Sequence, residues 1–192
     1  MLAFLDFEAS SLAKDSYPIE VAWVFEDGAS ESHLIRPAPA WTDWDPGAER
    51  LHGLSRDRLQ AQGEPHDAVA RRVLEALAGH APCASAPSWD GKWLSVLLRG
   101  AGLPRHAMRL KDTEEVHLAA ACALLKDAAA PGDLDRLAAE ILQRARLVVE
   151  AAPPAHRALA DAQRELELWR EVKRLARDSA GGPPLSPPSR TA

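Results

Sequence analysis

Acidic and histidine side chains at three places in the sequence could do chemistry together. The first pair, Asp6 and Glu8, lies two residues apart at the end of an apolar run. In a β-strand, residues i and i+2 point to the same face, so the two carboxylates converge. Like charges this close favour a hard divalent cation such as Mg²⁺ or Mn²⁺, which prefers oxygen ligands. The alternative is a solvent-exposed strand end, since two acids at this spacing are common.

The other two places follow later in the chain. Asp90 heads a predicted helix, where an ordinary helix cap is the alternative. His156 and Asp161 open the last predicted helix, and their spacing does not fit a zinc-binding HExxH motif. An imidazole that titrates near neutral pH, beside a cluster of oxygen ligands, is suited to activating water at a phosphorus centre. A surface histidine at a helix start is the alternative.

The elements that must position these residues follow from hydrophobic patterning. Strands are predicted over 2–7, 19–25, 32–35, 82–86 and 108–111, and helices over 66–77, 89–99, 113–126, 133–149 and 156–177. Asp27-Gly28 predicts a hairpin turn between the second and third strands. Residues 37–65, rich in proline and glycine, are predicted to form a long irregular loop. The pattern favours an α/β fold with a five-stranded mixed sheet flanked by helices.

Length and composition are typical of a globular protein. The chain has 192 residues, a formal charge of −5, and 46% hydrophobic and 27% charged residues, which argues against wholesale disorder or a disulfide scaffold. One domain is predicted over residues 1–178, followed by a disordered Pro/Gly/Ser-rich tail over 179–192. Cys83 and Cys122 are predicted to be free buried thiols. Neither a signal peptide nor a membrane span is predicted, so a cytoplasmic location is expected.

The order of the three places resembles a known family. Asp6-x-Glu8, then Asp90, then His156-x4-Asp161 is similar to the histidine branch of the DEDD superfamily of 3′-to-5′ exonucleases, which includes ribonuclease T, oligoribonuclease and proofreading exonuclease subunits. The resemblance covers roughly residues 2–172, and the segments 18–21 and 51–55 are also similar to the family. It implies a ribonuclease H-like fold.

The resemblance also implies a site and a reaction. Asp6, Glu8, Asp90 and Asp161 would hold two Mg²⁺ or Mn²⁺ ions, and His156 would be the general base. The residues implied in substrate binding are Phe7, Ala9, Ser10, His52 and Trp89. The expected activity is hydrolysis of single-stranded DNA or RNA from the 3′ end, with release of nucleoside 5′-monophosphates. The alternative is a noncatalytic nucleic-acid or protein-binding module on the same fold.

The acidic balance constrains the partners. A net charge of −5 argues against a broad basic surface, so grip on phosphates is expected from bound metal ions and from Arg71, Arg72 and Arg157. Trp41 and Trp44 could offer stacking surfaces to unpaired bases, although partial burial is an equal alternative. No membrane partner is expected, and the resemblance is compatible with a homodimer.

Overall fold

The computed structural model describes residues 1–130, 132–151, 153 and 155–181. Within them the chain forms an α/β fold of six strands and seven helices. The strands are β1 (Leu2–Ala9), β2 (Pro18–Phe25), β3 (Ser30–Arg36), β4 (Glu64–Pro65), β5 (Ala81–Ala84) and β6 (Lys111–Asp112). The helices are α1 (Pro46–His52), α2 (Arg56–Gln62), α3 (His66–Ala76), α4 (Pro87–Gly100), α5 (Thr113–Leu125), α6 (Leu134–Val149) and α7 (Ala158–Gly181).

The strands form one mixed sheet in the order β4-β3-β2-β1-β5-β6. β2 runs antiparallel to both of its neighbours, β1 and β3, whereas the other pairs are parallel, so β2 is the one strand of the described sheet that runs against the rest. The predicted mixed sheet flanked by helices is confirmed, but it has six strands and not five. The additional strand, β4, is two residues long and pairs with the edge of β3.

The hairpin between β2 and β3 turns at Asp27-Gly28, as predicted. Gly28 has a φ of 95°. Glycine adopts this conformation at little energetic cost, because it has no Cβ. The backbone amide of Phe25 donates to the carbonyl of Ala29 at 2.8 Å and closes the turn. This hairpin places β3 beside β2 and leaves β1 free to pair with β5.

The prediction of an irregular loop over 37–65 is wrong. The segment contains α1, α2 and β4. Asp45 caps α1 by accepting from the amide of Gly47, and Ser55 caps α2 by accepting from the amide of Arg58. Proline and glycine occupy the ends of these short helices and not their interiors, so the composition of the segment concealed the helices.

The chain divides into two compact units. The first comprises residues 1–113 and 154–166 and contains the sheet, whose core joins Leu5 and Phe7 of β1 to Trp23 of β2 and to residues of α3 and α4. The second comprises, of the described residues, 114–130, 132–151, 153 and 167–181, and its core includes Leu125, Ile141, Leu142, Leu168 and Val172. The single domain over 1–178 stays a prediction.

The predicted tail begins inside a helix. α7 continues to Gly181, so residues 179–181 are helical, and residues 182–192 lie outside the described part of the chain. Cys83 is buried, as predicted, whereas Cys122 is only half-buried, and both are free thiols. None of the described helices is long and apolar enough to cross a membrane.

Gly63 packs too tightly against its surroundings for a larger residue. A Cβ there would overlap the carbonyl oxygen of Leu59 and would lie 2.6 Å from the backbone nitrogen of Arg36. We expect Gly63→Ala to lower the free energy of unfolding by about 1–3 kcal/mol, the usual cost of overpacking. Gly91→Ala is the control, because a Cβ at Gly91 would meet no atom within 4 Å. This substitution should stabilise α4 by about 0.5–1 kcal/mol, the usual gain of alanine over glycine inside a helix. Urea unfolding of both variants tests this, and equal effects would contradict it.

Candidate active site

β1 positions the first two acids by simple alternation. Phe7 and Ala9 are buried in the core of the first unit, whereas Asp6 and Glu8 are half-buried and project from the opposite face of the strand. In the register with β2, Glu8 lies opposite Glu20. The prediction that the two carboxylates share a face is therefore confirmed.

The start of α7 brings a third carboxylate to the same face. One carboxylate oxygen from each of Asp6, Glu8 and Asp161 lies within 4.8 Å of the others. Asp161 also accepts hydrogen bonds from the backbone amides of Ala155, at 3.1 Å, and Arg157, at 3.2 Å. These bonds fix the carboxylate relative to the segment that leads into the helix.

Burial and mutual repulsion raise the pKa values of Asp6 and Glu8. Burial is the largest cause of the raised pKa of Asp6, followed by the charges of Asp90, Glu8 and Asp161. Burial, followed by the charges of Asp161 and Glu20, raises the pKa of Glu8 to about 8, although Arg157 opposes the shift. A divalent cation would relieve both effects, because it supplies positive charge and replaces lost hydration with direct ligation.

Asp90 lies beside this cluster without being one of its three members. It is the fourth residue of α4, 2% exposed, and Ala86 occupies the N-cap position, so Asp90 is not the helix cap. Burial raises the pKa of Asp90 to about 7, against the opposing effect of hydrogen bonds with the backbone of Phe7 and Ala86. The bond to Phe7 ties α4 to β1 between the two acids of that strand.

His156 lies in the segment just before α7, with a φ of 51° that few residues other than glycine adopt. An ion pair between the buried Glu20 and the more exposed Arg157 holds this segment. Arg157 binds Glu20 through two hydrogen bonds, of 3.0 Å from Nε and 2.6 Å from a terminal nitrogen. The amide of Ala158, the first residue of α7, also donates to Glu20 at 3.1 Å. Glu20 thus fixes the position from which both His156 and Asp161 project.

Sequence reasoning missed two acids of this site. In the sequence, Glu20 stands out only as part of the family-like segment 18–21, and its partner Arg157 is expected to contact phosphate. Glu165, one turn after Asp161 in α7, raises the pKa values of Asp6 and Asp90 by its charge. The spacing of four residues from Asp161 was the available signal, since such residues share a helix face.

His52, at the end of α1, presents a buried donor. It is 5% exposed, and its Nδ1 accepts from the amide of Leu54 at 3.1 Å. Burial is the main cause of its lowered pKa, so the ring is neutral and carries its proton on Nε2. Within the described part of the chain, Nε2 has no hydrogen-bond partner. Positive charge on Arg157 and on His156 lowers this pKa further.

The residues after Glu8 are committed to internal contacts. Ser10 is fully buried, accepts from the amide of Tyr17 at 3.1 Å and donates to Asp43 at 2.9 Å. Ser11 donates to the same carboxylate at 2.6 Å. The side chains of Phe7 and Ala9 lie in the core. Any substrate contact at Phe7, Ala9 or Ser10 therefore falls to the backbone.

Trp41, Trp44 and Trp89 differ in whether their rings are available to stack on a base. Trp41 stacks on Tyr17 at 5.3 Å and packs against His66, so its ring is used within the fold. Trp44 donates to Glu49 at 2.7 Å. Trp89, one residue before Asp90, is 38% exposed, and Lys92 Nζ lies 5.0 Å from the centre of its ring. Trp89 is thus the aromatic surface next to the acids.

No protein-family model matches this sequence, and no curated protein matches it either. Solved structures do match. The zinc-bound form of E. coli exonuclease I with single-stranded DNA aligns over 90% of this chain, with 19% identity and a TM-score of 0.64. The corresponding values are 92%, 18% and 0.62 for E. coli exonuclease I with a dA16 oligonucleotide, and 91%, 19% and 0.62 for its metal-free form with single-stranded DNA.

This likeness shows the fold. E. coli exonuclease I is a 3′-to-5′ exonuclease of the DEDD superfamily, and the ribonuclease H-like fold expected from the sequence is confirmed. The chain covers only 40–42% of the length of these exonuclease I chains.

The raised pKa of Glu8 predicts a specific pH dependence of stability. The folded pKa is about 8 and the ordinary value 4.5, so between these values the folded chain holds more protons than the unfolded chain. Stability is therefore lost as the pH rises through this window. In chelator-treated samples, we expect the wild type to lose free energy of unfolding from pH 5 to pH 8 relative to Glu8→Gln. Urea unfolding measures this, and parallel pH profiles would contradict it.

The ion pair of Glu20 should contribute measurably to stability. We expect Glu20→Gln to lower the free energy of unfolding by about 2 kcal/mol, because the buried charge is lost and an NH2 group replaces one of the two oxygens that accept from Arg157 and Ala158. Asp67→Asn is the control, since Asp67 pairs with Arg71 on the surface and exposed pairs contribute little. Denaturant titration compares the two variants. Equal losses of stability would show that burial of Glu20 has no special effect.

Proposed function

We propose that this chain is a metal-dependent 3′-to-5′ exonuclease that acts on single-stranded nucleic-acid ends. The observation that carries the proposal is the convergence of Asp6, Glu8 and Asp161 within 4.8 Å. The fold shared with exonuclease I supports it, since the same fold there belongs to proteins whose structures contain single-stranded DNA. The cytoplasmic location and the homodimer stay predictions.

The acids fit a hard divalent cation. Three half-buried carboxylates offer oxygen ligands, and the raised pKa values of two of them, Asp6 and Glu8, show that a positive charge would be favourable there. We assign Asp6, Glu8, Asp90 and Asp161 to two Mg²⁺ or Mn²⁺ ions, with Asp90 approaching from α4. Bound at these residues, the ions would polarise the scissile phosphate and stabilise negative charge on the entering and leaving oxygens.

The remaining residues divide the work of positioning and proton transfer. His156 takes a proton from the attacking water at a ring nitrogen as the water oxygen bonds to phosphorus. The bond from phosphorus to the 3′ oxygen breaks, and that oxygen takes a proton from solvent and leaves as a hydroxyl of the shortened strand. The product is a nucleoside 5′-monophosphate. The strained backbone of His156 is held by the bonds of Glu20 to Arg157 and to the amide of Ala158.

Substrate binding falls to groups around the acids. The unpartnered Nε2 of His52 is a donor available to the terminal nucleotide, and the exposed ring of Trp89 can stack on a base. The backbone of Phe7, Ala9 and Ser10 passes the site, and Asp43 holds it through the two serine hydroxyls. Stacking and backbone contacts do not depend on base identity, which suits a sequence-independent exonuclease.

The central test is degradation of a 5′-labelled single-stranded oligonucleotide in Mg²⁺ or Mn²⁺. We expect stepwise shortening from the 3′ end, with a decrease of at least about 100-fold in rate for Asp6→Asn and for His156→Asn. Asp57→Asn, an exposed acid of α2, is the control and should keep full activity. Unchanged rates in Asp6→Asn would overturn the proposal.

Metal titration provides a readout independent of cleavage. Calorimetry should show that Mn²⁺ binds the wild type and Asp57→Asn alike and binds Asp6→Asn more weakly. End-dependent binding of oligonucleotides without cleavage in any divalent metal would instead support the noncatalytic binding module.

A further inference from the structure

The arginines expected to grip phosphate are already neutralised. Arg71 pairs with Asp67 at 2.8 Å, Arg72 with Glu31 at 2.6 Å, and Arg157 with Glu20 at 2.6 Å. Each of these cations has an anion in contact, so a phosphate would have to displace a carboxylate to bind there. The positive charge that holds a nucleic-acid chain must come from elsewhere.

A basic segment follows α4. Residues 105–111 (RHAMRLK) carry Arg105, His106, Arg109 and Lys111, and no acid occurs between Gly100 and Lys111. All four side chains are exposed. Among the residues that the structure describes, they form no side-chain hydrogen bond and no ion pair. In a chain of net charge −5, such a run of unpaired cations concentrates positive potential locally.

The basic segment borders a groove against α4. This groove, of about 260 Å³, is lined on the segment side by Arg105, His106 and Arg109 and on the α4 side by Pro87, Gly91 and Ser95, and its apolar lining consists of Leu94, Met108 and Leu110. The space beside Gly91 is open, since no atom lies within 4 Å of where a Cβ would be. Guanidinium groups over a partly apolar groove suit an anion that also has apolar faces, such as a nucleic-acid strand with its bases, better than a neutral ligand.

The groove begins at the turn of α4 that carries Asp90. Pro87 and Gly91 line it, and Asp90 lies between them in the sequence. Pro87 and Gly91 are four residues apart and share one face of α4, whereas Trp89 points to the other side of the helix. A strand whose 3′ end lies at Asp6 and Asp90 can therefore continue along the face of Pro87 and Gly91 toward the basic segment.

We propose that the basic segment binds the phosphates of single-stranded nucleic acid upstream of the 3′ end that is cleaved. Arg105 and Arg109 contact the backbone from the groove wall, and Lys111 adds to the local field. This inference rests on the proposed function for the direction of the strand. It makes affinity depend on strand length and on salt, while the chemistry at the terminal nucleotide stays independent of the segment.

The experiment compares two double variants with the same change of charge. Arg105→Gln/Arg109→Gln removes the groove arginines, and Arg36→Gln/Arg58→Gln removes two exposed arginines outside it. Binding to a labelled 16-nucleotide strand is measured by anisotropy in chelator over a series of salt concentrations. We expect the groove variant to bind about tenfold more weakly. The slope of log K against log salt should be shallower by about 1.4, at about 0.7 for each phosphate that is no longer neutralised. The control variant should match the wild type.

A cleavage assay separates failure of this inference from failure of the proposed function. The groove variant should cleave a dinucleotide at the wild-type rate and a 16-nucleotide strand more slowly at low concentration. One outcome is that the wild type cleaves no substrate, while the groove variant still binds more weakly and with a shallower salt slope. In that case the proposed function fails and the binding surface remains. Equal binding and equal salt slopes for the wild type and both variants would overturn the inference. The groove variant could instead bind the oligonucleotide like the wild type and bind more weakly only to vesicles of anionic lipid, or only to a polyglutamate peptide. Either result would overturn the inference and identify the lipid surface or the acidic peptide as the partner of the groove.

Discussion

Electrostatic repulsion among carboxylates in a half-buried site is the constraint on which the rest of the structure depends. Asp6, Glu8 and Asp161 approach within 4.8 Å, and Asp90 and Glu165 add their charges to the same space. Such a group is stable only when protons or cations reduce its charge, and the raised pKa values of Asp6 and Glu8 express this requirement. The site is prepared for positive charge before a ligand arrives.

Holding the acids against their repulsion requires bonds from outside the cluster. Glu20 binds Arg157 and the amide of Ala158, and Asp161 accepts from the amides of Ala155 and Arg157. Without these bonds, repulsion among the carboxylates would move the start of α7 away from β1. The strained backbone at His156, just before this helix, would favour the same movement. The ion pair therefore both places His156, the proposed general base, and keeps the third carboxylate close.

Net charge is a poor guide to the partner of this chain, and the distribution of charge is a better one. Negative charge is concentrated where β1 meets the start of α7, whereas unpaired positive charge lies on the basic segment after α4. The proposed function uses both features, since metal ions would act at the scissile bond and cations would hold the phosphates beyond it. An overall charge of −5 is compatible with this arrangement because electrostatic attraction is local at physiological salt.

Hydrophobic periodicity and strand alternation are local properties, so the main strands, the longer helices and the shared face of Asp6 and Glu8 can be predicted from the sequence alone. The other features depend on tertiary packing. Helices of seven residues such as α1 and α2 are unstable alone, so packing selects them. Arg157 binds Glu20, which is 137 residues away in the sequence. The sequence neighbours of Arg157 therefore do not show whether it has an ion-pair partner. Which cations remain available for phosphate is settled by such long-range partners.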